Sequence, residues 1–467
     1  MANPAYLNDD WTNQVGQLGA LKFAETAREL ILTAPTPFAL AIGGRWGSGK
    51  TSMLRTLMRA LGGQFLVHLG GEGTAFEEHQ PPIDDALDPS KNKELKKRLK
   101  NVRTVWFNPW QFQHEPNPLV PLLQEIREQV RYQFLRGGAK QLANLVEAGI
   151  QSLGSLADAA IQVSTGARKF EVFQRMSDTL RQTAERERRE SFSQPVDAQR
   201  FFLQFEQAVR QVLGLRAKET NDSARLVVFI DDLDRCSDAV VFALLEAIKL
   251  YLSSRHCVFV FGLDRTHVEK AVAQAGGYTD LEAAQYVEKL FQTRLHLPVP
   301  DATQWKTFIE GLLAALDIRQ QAAEVELLAT LLPPNPRQAK NYLNGLKLHL
   351  TIGPKEEPRR AILVHLLRVW FPDVYELLLQ NPKEVLEDLM HMCREESPGD
   401  TVRKQYIHHV MENPLMADTK ADPKTVLDPR RFHALRAGAA RAEALRTFKQ
   451  QFSDTFPTVA DLKAHLI

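Results

Sequence analysis

Eight consecutive residues, Gly44-Arg45-Trp46-Gly47-Ser48-Gly49-Lys50-Thr51, fit the pattern G-x-x-x-x-G-K-[ST]. Far downstream, the apolar run Leu226-Val227-Val228-Phe229-Ile230 ends in Asp231-Asp232-Leu233-Asp234-Arg235. Gly44, Gly47 and Gly49 let the backbone turn tightly and aim its N–H groups inward, where a Cβ would obstruct. Lys50 supplies a cation for β- and γ-phosphates, and Thr51 a hydroxyl for Mg²⁺. Asp231, at the end of the apolar run, is the candidate partner of that cation. Asp232 is the candidate base that orients the attacking water, with Asp234 as its competitor. Helix capping is the rival use of such carboxylates and competes most strongly at Asp234. Together the segments predict a nucleoside-triphosphate site, with Gly44, Trp46, Gly47, Ser48, Gly49, Lys50, Thr51 and Ser52 around the phosphates.

The elements that must position these groups are legible around them. Residues 37–42 are short, apolar and bounded by Pro and Gly, as a buried parallel strand is. Residues 51–61 carry helical periodicity, so their N-terminus adds a positive dipole end to the phosphate nest. The run 226–230 is a second buried strand, and ligands of open α/β sheets bind at the carboxyl edge where Asp231 stands. Residues 102–107 form another strand ending in the aromatic cluster Trp106-Phe107-Asn108-Pro109-Trp110-Gln111-Phe112, most of it core. Asn108 and Gln111 could face the nucleotide. Residues 257–263 are a further strand with Asp264 and Arg265 at its end, and residues 294–299 are the last. Residues 12–34 read as a helix, 64–69 as a short strand and 70–90 as an exposed loop. The basic run 91–100 reads as a solvated helix face. From Asp301 onward the pattern is helical.

Bulk properties narrow the class. A chain of 467 residues allows two or three domains. Its 44% hydrophobic and 25% charged composition is that of a soluble globular protein. A net charge of +1 gives no global reason to bind nucleic acid. Cys236, Cys257 and Cys393 are few, odd in number and without metal spacing, which argues for a reducing compartment. The first ten residues lack the basic and apolar regions of a signal peptide. No run of about 20 apolar residues is present, so the expectation is a cytoplasmic protein without a membrane span. The long gap between Thr51 and Leu226 is filled in part by a helical insertion, residues 119–213. Within it Leu142, Val146, Gly149, Ile150, Leu153, Leu156, Ala157, Ala160 and Ile161 form a stripe at helical spacing, interrupted by Gln151, Asp158 and Gln162. Packing against protein is its expected use, since the polar interruptions would be costly in lipid. Residues 184–190 are a charged, solvated helix or linker.

The phosphate loop, the Trp106–Trp110 motif, Ile230-Asp231-Asp232-Leu233-Asp234-Arg235-Cys236, Phe261-Gly262-Leu263-Asp264-Arg265, the run from Tyr286 to Gln292 and Asn335-Pro336-Arg337-Gln338-Ala339-Lys340 resemble, in this order, the KAP family of P-loop NTPases. That family is named for a neuronal membrane scaffold and a plasmid-encoded phage-exclusion protein. The resemblance implies an α/β fold: an ASCE-type P-loop NTPase three-layer αβα core, in which a strand lies between the phosphate-loop strand and the acid-tipped one. It implies a core over residues 1–300 with the helical insertion, an α-helical lid region over 301–380 and a C-terminal helical region over 381–467. By the same analogy Asp264 holds a sensor position and Arg337 is a sensor arginine on the lid. Arg294 and Arg235 are candidates for an arginine supplied to a neighbouring subunit. ATP with Mg²⁺ is the implied cofactor pair, and no guanine-reading N-K-x-D motif is present. Many members carry transmembrane helices where this chain has the stripe at 142–161. The function implied is an ATP-hydrolysing conformational switch in bacterial antiphage defence or related signalling, working as a homo-oligomer or with a partner protein. A nucleic-acid-processing motor or loader on the same core is the alternative, and nucleic acid is possible but not indicated. A non-hydrolysing scaffold would lack a base, and Asp232 argues against it.

Overall fold

The computed structural model describes residues 6–8, 15–68, 75–77, 82–115, 117–137, 143–164, 197–216, 219, 221–251, 254–318, 321–352, 357–394, 402–412 and 439–466. The chain divides into two compact units: residues 11–16 with 20–298, and residues 1–10, 17–19 and 299–467.

The first unit is built on a parallel sheet. Its strands are β1 (Phe38–Gly43), β4 (Val102–Phe107), β5 (Arg225–Ile230), β6 (Cys257–Leu263) and β7 (Thr293–His296), in the order β4-β5-β6-β1-β7. A separate antiparallel pair joins β2 (Leu66–His68) to β3 (Ala75–Glu77). β6 pairs with β1 through Phe38↔Val258 and with β5 through Leu226↔Cys257. The intervening strand of an ASCE core is therefore present. β5 and β6 are buried at every position, which is why they read as unbroken apolar runs rather than alternating ones.

Among the described residues the α-helices of this unit are α1 (Leu21–Thr33), α2 (Lys50–Ala60), α3 (Lys93–Arg98), α4 (Leu119–Gly137), α5 (Ala143–Ser164), α6 (Asp197–Val212), α7 (Asp238–Tyr251), α8 (Arg265–Gly276) and α9 (Asp280–Leu290). Successive strand residues point to opposite faces, and the two faces have separate cores. Val227, Phe229, Val258 and Val260 pack with α1 and α2. Val228, Ile230, Phe259 and Phe261 pack with α4 to α9. The result is a helix–sheet–helix sandwich.

In the insertion, Val146, Ile150, Leu153, Leu156 and Ala157 of α5 share that second core with Phe205, Ala208, Val209 and Val212 of α6. Over these residues the stripe is buried in protein. No helix is long and apolar enough to cross a membrane among the described residues. Leu142, the side chains of Asp158, Ala160, Ile161 and Gln162, the charged run 184–190 and much of the segment 70–81 lie outside the described residues. Several boundaries differ from the sequence reading, most by one or two residues. α1 starts at Leu21 after a 3-10 turn at Val15–Leu18. β7 stops at His296 instead of reaching residue 299, because Pro298 has no N–H for the ladder. The basic run forms only the six-residue α3, where Arg98 pairs with Glu29 at 2.9 Å.

The second unit is helical: α10 (Ala302–Ala315), α11 (Ala322–Leu331), α12 (Pro336–Ile352), α13 (Pro358–Trp370), α14 (Pro372–Gln380), α15 (Pro382–Cys393), α16 (Val402–Glu412), α17 (Ala439–Thr455) and α18 (Val459–Lys463). Pro opens α12 to α15, where its missing N–H leaves no helical bond unmade. One hydrophobic core runs through the whole unit, from Trp305 by way of Leu343, Trp370 and Phe448 to Leu462. Near the N-terminus, Leu7 exchanges two 2.7 Å hydrogen bonds with the Asn344 side chain.

Candidate nucleotide site

The carboxyl ends of β1, β4, β5 and β6 bring the sequence-predicted groups of the first unit to one sheet edge. After β1, Gly47 and Gly49 have φ of 80° and 96°, left-handed values that glycine adopts without a Cβ penalty. A Cβ on Gly44 would lie 2.5 Å from Ser48 Oγ and 3.2 Å from Leu297 Cδ1, so a side chain here would force the Ser48 hydroxyl to turn away. Lys50 is the first residue of α2 and is 7% exposed. Its ammonium donates to the Gly44 carbonyl at 3.0 Å and lies 3.3 Å from Asp234 Oδ2. The phosphate-loop lysine thus rests against an acid and the loop's own carbonyl, groups that phosphate oxygens would replace. Trp46 is 67% exposed, and Ser52 lies in the first turn of α2.

β5 continues past Ile230 through an Asp231 N–H bond to the Phe107 carbonyl, 3.1 Å. Asp231 is 2% exposed. Burial first, and the Asp232 charge second, push its carboxyl up to about 6, while a hydrogen bond from Thr51 acts in the opposite direction. The Thr51 hydroxyl and the Asp231 carboxylate are therefore neighbours across 180 residues of chain. Both are hard oxygen donors, and a buried carboxylate disfavoured as an anion is one that a divalent cation would relieve. The pair suits Mg²⁺.

Asp232 leaves the strand with φ 55° and ψ 26°, a left-handed conformation that Asp tolerates better than most residues but at a cost. Its Oδ2 accepts from Asn108 Nδ2 at 2.9 Å, and its Oδ1 pairs with Arg235 Nε at 2.9 Å. The Arg235 guanidinium also lies 5.5 Å from the Trp110 ring centre. Asp234 sits in the 3-10 turn Leu233–Arg235, facing Lys50 rather than serving as a cap. Cys236 is buried beside these acids, and burial and their charges push its thiol up to about 12, which rules out a ready thiolate.

The remaining predicted residues are more dispersed. Asp264 follows β6 and caps α8 by accepting from the Thr266 N–H at 3.1 Å. Arg294, on β7, pairs with Glu288 at 3.5 Å. Arg337 is in the first turn of α12, in the second unit. Three relations were not visible in the sequence: the Lys50–Asp234 pair, the Asn108–Asp232 bond and the approach of Gly262 to Asp231. Each depends on strand register. Asn108 alone carried a signal, as a polar residue at a strand end inside an aromatic cluster.

The profile of the KAP family P-loop domain matches residues 21–352. The chain belongs to this family of P-loop NTPases. Among solved structures it is similar to the ORC2 protein of Aeropyrum pernix in its ADPNP–ADP complexes, at 12% identity over 97% of this chain and 98% of that one, with a TM-score of 0.38. The ADP form of the same protein matches at 13% identity over 95% and 96%, with a TM-score of 0.36. The Walker-type ATPase paby2304 of Pyrococcus abyssi matches at 10% identity over 94% and 98%, with a TM-score of 0.35. No curated protein matches the chain.

Proposed function

We propose that this protein binds and hydrolyses ATP with Mg²⁺ and uses the cycle as a conformational switch. The observation that carries the reading is the meeting of Thr51 with buried Asp231 beside Lys50, at the carboxyl edge of a sheet with the ASCE strand order. The phosphate nest, Gly44 to Thr51, binds the β- and γ-phosphates through its N–H groups and Lys50. Thr51 and Asp231 would hold the cation, which neutralises charge on the phosphates when bound. Asp232 orients the attacking water and accepts its proton. Asp234 is the counter-ion of Lys50 in the nucleotide-free protein.

By the family resemblance, Asp264 and Arg337 sense the γ-phosphate, and Arg294 acts in the site or on a neighbour's. The assigned core spans residues 1–300 with its insertion. The lid segment 301–380 belongs to a larger helical body whose core continues to Leu462. Antiphage defence or related signalling, in an oligomer or with a partner protein, is the biological role we assign on the same ground.

Steady-state phosphate release and titration with a fluorescent ATP analogue test the reading. Lys50→Ala is expected to lose binding by removing a charge-assisted phosphate contact. Asp232→Asn is expected to bind but not turn over, because its shape survives and its basicity does not. Wild-type turnover by Asp232→Asn would remove Asp232 as the base. Stimulation of turnover by DNA or RNA would favour a motor over a switch.

A further inference from the structure

Asp232 is held at both oxygens by groups from two different strand ends. β4 and β5 run parallel with Phe107 opposite Ile230, and the Asp231 N–H closes the ladder on Phe107. The left-handed turn at Asp232 then brings its carboxylate to Asn108, 124 residues away, at 2.9 Å. Arg235 grips the other oxygen at 2.9 Å and is itself braced on the Trp110 ring, two residues beyond Asn108. Asn108 has a structural task as well: its Oδ1 accepts from the Trp110 N–H at 3.1 Å and opens the 3-10 turn Pro109–Phe112. That task uses only the amide oxygen. The amide nitrogen is spent on Asp232.

A carboxylate with one partner can rotate about its last torsion. Fixed at both oxygens, it offers its remaining lone pairs in set directions, which is what an attacking water requires. We propose that Asn108 is a positioning residue for hydrolysis, with Arg235 as its counterpart on the second oxygen. The proposal rests on the assignment of Asp232 as the group that orients water. Arg235 accordingly works on its own chain's Asp232 and is not an arginine delivered to a neighbouring subunit.

The test measures kcat, KM for ATP, analogue binding and melting temperature for Asn108→Asp, Asn108→Ser and Arg235→Ala. In both variants an oxygen still accepts from the Trp110 N–H; the serine hydroxyl, about 1 Å shorter than the amide, no longer reaches Asp232, and the aspartate replaces the donor with a second carboxylate facing it. For both, kcat should fall roughly 10–100-fold, the weight of one hydrogen bond to a charged group. In Asn108→Ser, which adds no charge, KM and analogue binding should stay within about twofold, since loss confined to kcat marks a transition-state contact. Arg235→Ala should lose kcat by a smaller factor and should not be rescued by mixing with Lys50→Ala protein.

Wild-type kcat in Asn108→Asp and Asn108→Ser would overturn the proposal, as would a loss of kcat in Asn108→Ser matched by an equal loss of analogue binding. Rescue of Arg235→Ala in the mixture would overturn the part given to Arg235. If Asp232→Asn itself turned over at the wild-type rate, the assignment of the base would fail instead, and the two failures are distinguishable.

Discussion

Gly262, the next-to-last residue of the site's central strand, gives a sharp test of how tightly Asp231 is placed. A Cβ there would lie 2.6 Å from Leu54 Cδ1, 3.5 Å from Leu54 Cγ and 3.0 Å from Asp231 Oδ1. Leu54 is fully buried and Asp231 is 2% exposed, so neither has room to retreat. Gly262 is not among the left-handed glycines, which leaves space as the only objection to alanine. Carbon–carbon contacts settle near 3.5–4.0 Å, so the Leu54 methyl must move by about 1 Å. Such overpacking costs about 1–3 kcal/mol, offset by about 0.8 kcal/mol for one more buried methyl. The net loss of at most about 2 kcal/mol corresponds to a fall in Tm of about 3–4 °C for a unit of this size, at about 2.1 cal/mol/K per residue. The effect on chemistry should be larger than the effect on folding. A shift of a site group approaching 1 Å can cost about 100-fold, so Mg²⁺-dependent turnover of Gly262→Ala should fall at least about tenfold. Phosphate release and thermal melting, measured on the same preparation, compare the two. Wild-type turnover would show that Asp231 does not need its present place, and the reasoning that links Gly262 to the cation site would be wrong.

Three further outcomes are expected. In the helical unit, His349 and His365 are buried beside His465 and Arg368, with Glu357 on His465, and burial first, then neighbouring charge, lowers both rings to about 4. Folded-state values below the unfolded value near 6.5 mean that stability is full at neutral pH and falls as pH drops through that window, on the order of 2 kcal/mol per ring by about pH 4.5; equal Tm at about pH 7 and 5 would refute this. Gly149→Ala should destabilise the insertion, since the new Cβ would lie 2.8–2.9 Å from Gln211 Cβ and the Val212 backbone N, a clash of about 1–3 kcal/mol against a helix-propensity gain of about 1 kcal/mol; melting or protease resistance above wild type would contradict it. Arg403→Ala should cost about 1–3 kcal/mol, read by thermal melting, because among the described residues the buried Asp388 carboxylate then keeps only Lys404 at 3.9 Å as a cation; an unchanged Tm would show that Arg403 contributes nothing.

The parts of the fold that sequence revealed are those built from contiguous residues. β1, its glycine loop and α2 occupy one unbroken stretch, and β5 announces itself because burial on both faces leaves only apolar residues after Arg225. The insertion stripe was legible for the same reason. What escaped depends on residues brought together by register. Asn108 and Asp232 are 124 positions apart and meet only because β4 and β5 align and Asp232 turns left-handed. Asp234 looked equally able to cap a helix or to act as a base, and only the fold sets it against Lys50. The extent of β7 was misjudged because its apolar character continues into Leu297 and Val299, past the point where the ladder ends.

The strand order also sets a timetable for the chain's birth. β1 is made early, yet its partners on both sides, β6 and β7, come about 220 residues or more later. At roughly 5–20 residues per second, Phe38-Ala39-Leu40-Ala41-Ile42 waits on the order of 10–40 s without its neighbours. During that interval the ribosome displays an apolar segment already joined to its phosphate loop, and the catalytic acids have not yet been translated. The nucleotide site therefore cannot assemble until almost the whole first unit has emerged, so translation arrested inside the insertion should leave a nascent chain that neither binds ATP nor resists protease.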